Sequence, residues 1–410
     1  MKIMPPGWPA SGEGGLRRMA IVNRIAEFHS DITAWRRDLH ANPELQFDVH
    51  RTAASVAEKL KAFGCDEVVP GIGRTGVVGV IRGRKAADGG GRGRAIGLRA
   101  DMDALPIEEA TGLSYKSTIA GKMHACGHDG HTAMLLGAAR YLAETRNFAG
   151  TAVVIFQPAE EGGAGGKAMV ADGLMQRFGI DEVYGMHNYP GLPAGQFATR
   201  TGPIMAAADH LRIEIEGKGG HAARPHLAID PILVGSQIVS QLQSIVSRNV
   251  DPLESGVVSI CVFQAGSTDN VIPQKALLRG TCRSLTDAVR DLLETRVTEI
   301  VEGVARLHGA SATLTYHRGY PVLRNHPGQT AFAAGVAAEI AGAERVDEDM
   351  APVMGAEDFS YMLNERPGAF VFIGNGDSAG LHHPQYDFND AIIPAGTSYW
   401  VRLVETALPA

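Results

Sequence analysis

"LRIEIE", Leu211–Glu216, reads as a strand, and the elements that follow it decide the fold. A helix over Ile229–Ser247 comes next, then strands "GVVSICVF" (256–263) and "KALLRGTCR" (275–283), a helix over Asp287–Leu307 and a strand "ATLTYH" (312–317). The order βαββαβ is that of a ferredoxin-like unit. The flanking sequence has another rhythm. Short apolar runs, "TGVVGVIRG" (75–83), "RAIGLRAD" (94–101), "TAVVIF" (151–156), "EVYGMH" (182–187) and "AFVFIG" (369–374), alternate with helical segments, as in an α/β layer. The expected architecture is therefore an α/β domain built from 19–203 and 319–410, interrupted by an inserted domain at 204–318.

The N-terminal part is scaffold. Ile21, Ile25, Phe28, Ile32, Trp35 and Leu39 recur at steps of four and three, which predicts a helix ending near Asn42-Pro43. A second helix is expected from about Arg51 to Phe63, closed by Gly64. "TGVVGVIRG" and "RAIGLRAD" then read as neighbouring strands joined by a hairpin loop, "RKAADGGGRGR". That loop lacks a phosphate-binding pattern. Residues 1–18, rich in Gly and Pro, read as a loose tail.

At 410 residues the chain is long enough for two or three domains. A charged fraction of 20% and a hydrophobic fraction of 45% fit a globular protein rather than a disordered one or a fibre. The net charge of −7 argues against nucleic-acid binding, and no apolar run reaches the length of a membrane span. The four cysteines, Cys65, Cys126, Cys261 and Cys282, form no disulfide framework, and no N-terminal segment reads as a signal peptide. A reduced cytoplasm is the expected location.

Four polar clusters each follow a strand-like run. "AIGLRA" leads to Asp101-Met102-Asp103, "AVVIFQPA" to Glu160-Glu161, "EVYGM" to His187-Asn188, and "AFVFIGNG" to Leu381-His382-His383-Pro384. Open α/β sheets bind ligands beyond the carboxyl ends of their strands, so these clusters converge on one crevice, joined by "HACGHDGH" (124–131). Singly, each has an ordinary reading: Cys126 as a small buried hydrophobe, His187 as a core histidine, the glutamates as a solvated loop. Together, a thiolate, several imidazoles and a carboxylate exceed the roughly four ligands of one tetrahedral zinc, which points to two ions with a shared ligand. Adjacent glutamates suit such a site, since one can bind metal while the other stays free as general base. Asp103 is expected to orient a ligand histidine.

"LRADMDALP", "HACGHDGHTA", "QPAEE", "GMHN", "GKGGHAARP", "DNVIP", "MGAEDFS" and "LHHPQYDFND", in this order, resemble the dinuclear metallo-aminoacylase and carboxypeptidase family. The closer similarity is to its amidohydrolase branch of hippurate and indole-acetyl-amino-acid hydrolases, of which "RRDLHANPEL" (36–45) is also typical. The resemblance spans about residues 30–400. It implies a metallohydrolase domain with a mixed sheet and helices on both faces, and an inserted domain that acts as lid and dimerises.

The resemblance further implies metal ligation by Cys126, His128, Glu161, His187 and His382, two divalent ions (zinc, manganese or cobalt), and Glu160 as general base. His382 is chosen over His383 because the family pattern is His, any residue, Pro. Asp103 matches the aspartate of the family's His-x-Asp element, whose first position is here Asp101, as in the amidohydrolase branch. Cys126 is the implied bridge, and His124 and His131 are left with structural roles. His221 resembles the histidine offered to the reacting carbonyl, reaching across a homodimer, or a higher homo-oligomer. Asn270 and Arg283 resemble groups that hold the substrate carboxylate, with Gly355 supplying backbone contacts. A guanidinium pairs well with a carboxylate. The implied activity is hydrolysis of the amide of N-acyl amino acids. Its rivals are a dipeptidase or a deacetylase of N-acetyl diamino acids with the same chemistry, and a catalytically silent metal-binding protein, which the intact Glu160 disfavours.

Overall fold

A computed structural model describes residues 19–84 and 93–410, so the tail 1–18 and most of the loop 84–94 lie outside the described residues. The chain divides into two compact units. The first comprises residues up to Gly202 together with Asn325–Ala351 and Tyr361–Ala410, and the second comprises Pro203–Arg324 and Pro352–Ser360. The second unit thus begins beside the cut read at 204, runs on past 318 to Arg324, and recruits nine residues from the stretch assigned by sequence to the other domain.

In chain order the first unit supplies helices α1 (Asn23–Ala41) and α2 (His50–Ala62), strands β1 (Glu67–Ile72), β2 (Gly76–Arg82) and β3 (Ala95–Asp101), helix α3 (His128–Thr145), and strands β4 (Thr151–Gln157), β5 (Glu182–Pro190) and β6 (Phe197–Ala198). The second unit contributes β7 (Ala207–Glu216), α4 (Pro231–Arg248), β8 (Gly256–Ala265), β9 (Lys275–Ser284), α5 (Asp287–Leu307) and β10 (Ser311–Arg318). The chain then returns to the first unit through α6 (Pro327–Ala341), β11 (Val346–Asp347), β12 (Gly368–Gly376) and α7 (Ile393–Ala407).

The first unit is built on an eight-stranded mixed sheet of order β1-β2-β4-β3-β5-β12-β6-β11. Its centre is parallel: β3 pairs with β4 and β5, and β5 with β12. Both β3 and β12 are buried at every residue, the pattern of strands covered on both faces, and this explains why they read as continuous apolar runs. The expected hairpin between β2 and β3 is wrong. β4 lies between them, antiparallel to β2 and parallel to β3, because a fully buried parallel strand takes an interior place rather than the far arm of a hairpin. Helix α3 is also almost wholly interior, packing on α1 and α7. Gly130 lets it approach closely, since a Cβ there would stand 2.3 Å from the Phe388 ring.

The second unit is a four-stranded antiparallel sheet of order β8-β9-β7-β10, the ferredoxin-like arrangement. Side chains of β7 alternate in burial from Leu211 to Glu216, and the inward Leu211, Ile213 and Ile215 meet Val234, Ile238 and Leu242 of α4 and Leu293, Val297 and Val301 of α5. Asp230 and Thr286 cap the two helices by accepting the N–H groups of Ile232 and Val289. A buried Arg290–Asp209 pair, joined by the Tyr316 hydroxyl, ties α5 to β7 and β10. Among the described residues of the chain, no helix is long and apolar enough to cross a membrane.

A buried charged cluster fastens α1 of the first unit beneath α3. Arg36 grips Asp390 with two hydrogen bonds of 2.8 and 2.9 Å. His40, fully buried, faces Asp129 from Nδ1 at 2.9 Å and Glu109 from Nε2 at 3.3 Å. Carboxylates only accept, so both ring nitrogens carry hydrogen. Burial opposes that charge, but Asp129 and Glu109 outweigh it and push His40 up to about 9. A histidine whose pKa is raised on folding contributes its full stabilisation below its unfolded value near 6.5 and loses it as pH rises through the folded value. We expect His40 to contribute on the order of 2–3 kcal/mol at pH 6, fading between pH 7 and pH 10. Urea unfolding midpoints should fall more steeply over that window in the wild type than in His40→Gln. Parallel profiles would contradict the charged assignment.

Candidate metal centre

The site lies in the first unit, where the carboxyl ends of β3, β4, β5 and β12 open. Between Cys126 and His128 stands Gly127, at φ +90, immediately before α3. A Cβ there would fall 2.2 Å from Asn188 Nδ2 and 2.6 Å from the Tyr386 hydroxyl, so both backbone shape and crowding demand glycine. The turn brings the Cys126 thiol and the His128 ring to the same side.

Both candidate histidines from the core are presented in one tautomer. The Nδ1 of His128 donates to the main-chain carbonyl of Asp103 at 2.8 Å, and the Nδ1 of His187 donates to the carbonyl of Asn188 at 2.6 Å. Because a carbonyl only accepts, Nδ1 carries hydrogen in each ring and Nε2 is left as the inward atom. The His187 Nε2 is 3.4 Å from Cys126 Sγ. The His128 Nε2 is buried without a hydrogen-bond partner among the described residues.

Adjacent Glu160 and Glu161 leave β4 through a turn in which Ala159 takes φ 55, uncommon for a residue with a side chain. Asp103, following β3, stabilises the turn: its two carboxylate oxygens accept the N–H of Glu160 at 2.9 Å and of Glu161 at 3.1 Å. This refines the sequence expectation. Asp103 does orient His128, but through its carbonyl, while its carboxylate, 3.5 Å from the same ring nitrogen, is engaged with the glutamate amides. His382, at φ 63 and about half exposed, donates its N–H to Ala125 and brings Nε2 to 3.2 Å from Glu161 Oε1.

Three donor groups result: Cys126 with His128 and His187, Cys126 with Glu161 and His382, and His128 with Glu160 and Glu161, the atoms of each lying within 4.8 Å of one another. Cys126 belongs to two of them, the geometry required of a shared ligand. His383 is turned away, its Nδ1 accepting the N–H of Gln385.

The electrostatics call for a cation. Burial would hold His128 in its neutral form, yet Asp101, Asp103 and Glu161 outweigh burial and push it up to about 10. Burial, with Glu161, Glu160 and Asp101 adding to it, pushes the Cys126 thiol well above its ordinary value. Burial and the neighbouring His131 hold His187 well below its ordinary value, so it stays neutral. A buried set that recruits a proton onto one imidazole and keeps another as a free base fits divalent metal, whose charge takes the proton's place.

The second unit holds the remaining candidates. His221 lies opposite Val271 in a short two-stranded ladder, and the N–H of Ala222 reaches the Asn270 carbonyl at 3.1 Å, so these two are brought together. His221 Nδ1 accepts the N–H of Ala223, which places the ring hydrogen on Nε2. Arg283, on β9, is partly buried with Nη1 on the Cys282 carbonyl and the Thr281 hydroxyl. The Gly355 carbonyl accepts the N–H of Ala206. Sequence reasoning placed Asn188 in a polar cluster with His187 but gave it no role, and it did not single out Tyr386, although both lie against the Cys126–His128 turn. The cue for Asn188 was its place beside His187; a lone tyrosine inside "LHHPQYDFND" offers no spacing signal.

Thiol, imidazole and carboxylate donors gathered beyond the carboxyl ends of a parallel α/β sheet define a metallohydrolase. The chain belongs to peptidase family M20/M25/M40, whose sequence signature matches residues 97–406. It is 42% identical over 385 residues to the hippurate hydrolase of Campylobacter jejuni, covering 94% of this chain and 98% of that protein. To the N-acetyl-L-cysteine deacetylase of Bacillus subtilis it is 42% identical over 370 residues, covering 90% and 86%. Among solved structures it matches the Bacillus subtilis YXEP protein, a dinuclear metal binding peptidase of the M20 family, with a TM-score of 0.79 at 34% identity over 93% of this chain and 99% of that one.

Gly127→Ala should lower the stability of the metal-free protein by about 2–3 kcal/mol, combining the positive-φ penalty with the clash on Asn188. Urea unfolding measures it. An unchanged midpoint would show that the turn has room to spare.

Proposed function

We propose that this chain is a metal-dependent amidohydrolase that cleaves N-acyl amino acids to a carboxylic acid and a free amino acid. The observation that carries the reading is the pair Glu160-Glu161 suspended from Asp103, with Glu161 grouped with Cys126 and His382 and Glu160 held beside His128 and Glu161. The similarity to a hippurate hydrolase and an N-acetyl-L-cysteine deacetylase supports this substrate class.

In this reading Cys126, His128, His187, Glu161 and His382 hold two divalent ions. Zinc suits the thiolate and imidazole donors, and manganese or cobalt are the other candidates. When bound, the ions supply Lewis acidity to the amide carbonyl and bring the pKa of water toward about 7. Glu160 takes a proton from the attacking water as its oxygen bonds to the acyl carbon. The same residue returns the proton to the amide nitrogen as the carbon–nitrogen bond breaks. His221, with hydrogen on Nε2, donates to the oxyanion. Asn270 and Arg283 hold the amino-acid carboxylate, with backbone contacts from Gly355. The four free cysteines suit a reducing, cytoplasmic setting.

We further read the protein as a homodimer in which His221 serves the partner's site. Supporting this, β8 is an edge strand, and the exposed Phe263 it carries is joined by exposed Ile232 and Leu233 on α4. Co-expressed Glu160→Ala and His221→Ala chains, each inactive alone, should regain activity in purified mixed dimers, since one site then has both residues. Mixed dimers without activity would refute the shared site.

The reaction itself is tested by a panel of hippurate, other N-acyl amino acids, dipeptides and N-acetyl diamino acids, with zinc, manganese or cobalt loaded separately. Glu160→Gln should retain both ions and lose about 100-fold to 10,000-fold in rate, whereas Glu161→Gln should lose metal. A Glu160→Gln enzyme with wild-type turnover would remove the general base from the scheme.

A further inference from the structure

Asp101, His128 and His131 form another donor group within 4.8 Å, and its hydrogen bonding says something different from the others. Both ring nitrogens of His131 are engaged. Nδ1 is 2.7 Å from Asp101 Oδ1, while Nε2 is 2.9 Å from the main-chain nitrogen of Asn188 and 3.0 Å from its Nδ2. A backbone N–H only donates, so Nε2 is the acceptor and the ring hydrogen sits on Nδ1, pointing at Asp101. The other oxygen of Asp101 accepts from Arg99 at 2.7 Å. His131 thus has no lone pair to offer a metal.

Asn188 carries the chain onward. Its Nδ2 donates to the Cys126 carbonyl at 2.6 Å, its Oδ1 accepts the Tyr386 hydroxyl at 2.8 Å, and its own carbonyl accepts Nδ1 of His187. The amide cannot be turned over without opposing its oxygen to two acceptors, the Cys126 carbonyl and His131 Nε2. The direction of each bond from Arg99 to Cys126 is consequently determined. Asn188 and His131 are fully or nearly fully buried, so no solvent can replace a lost partner.

We propose that His131 and Asn188 are positioning residues: a relay running Arg99–Asp101–His131–Asn188 sets the tautomer of His187 and the distance between its Nε2 and the Cys126 thiol, and so selects this pocket for the metal. The proposal rests on the reading of Cys126 and His187 as metal ligands. It gives Asp101, which stands where the resembled family has a histidine, the task of holding His131 out of the ligand set.

Cobalt binding to the apo-protein tests it, with cobalt as the probe and the thiolate-to-cobalt absorption as readout. The wild type should show that absorption; if it does not, Cys126 is no ligand and both readings fall. Given the band, His131→Gln and Asn188→Asp should bind cobalt about 10-fold to 100-fold more weakly, with the band shifted or reduced in protein shown by circular dichroism to be folded. Tyr386→Phe removes one hydroxyl at nearly constant volume and should give a smaller change in the same direction, which keeps the test decisive if a larger substitution prevents folding. A purely structural role would lower the unfolding midpoint while leaving the band of the folded protein intact. Wild-type affinity and spectrum in folded Tyr386→Phe and in any folded His131 or Asn188 variant overturn the proposal.

Discussion

The first unit is organised around a concentration of buried negative charge. Asp101, Asp103 and Glu160, with the largely buried Glu161, meet at the ends of adjoining strands, and each has to be answered. Asp101 is answered by Arg99 and His131, and Asp103 by two backbone N–H groups. What is left faces Cys126, His128 and His382, and that residue of charge is the basis of metal affinity. Burying isolated carboxylates would cost many kcal/mol, so the pocket is tolerable because its charges are paired by protein groups or by cations.

The same economy explains how one short segment serves so many partners. Within 124–131, Cys126 and His128 face the metal pocket, Asp129 points to His40 and Arg36, and His131 holds Asn188. A glycine turn followed at once by a helix makes this possible: the turn aims Cys126 one way, and the first helical turn distributes the next side chains around its axis. Packing above and below α3 then fixes each direction. The second unit, by contrast, is a regular two-layer structure whose helices follow sequence periodicity closely, and the candidate residues it holds lie in loops and at strand ends.

The legibility of the sequence tracks that contrast. The helix read as Asp287–Leu307 is found with those bounds, and the runs at 94–101, 151–156, 182–187 and 369–374 are strands of one sheet, since continuous burial leaves an unmistakable apolar run. Pairing was harder. Nothing in the composition of β2 and β3 reveals that β4 comes between them, because strand order is decided by crossover helices far along the chain. The recruitment of 352–360 by the second unit was invisible for the same reason. At the site, the gathering of thiol, imidazole and carboxylate groups was legible from clustering, but bond directions were not. That Asp103 reaches His128 through its carbonyl, or that Asn188 bridges Cys126 and His131, depends on three-dimensional placement of single polar groups.

The interrupted course of the first unit has a bearing on how the protein is made. Its central strands β5 and β12 pair His187 with Phe372, and the whole second unit is synthesised between them. The second unit, with neighbouring segments in mutual contact, can therefore mature early on the ribosome, while the larger sheet waits with its core partly open. His382 emerges only after β12. A chain truncated before β12 would therefore carry Cys126, His128, Glu161 and His187 but lack both His382 and the strand that pairs with β5.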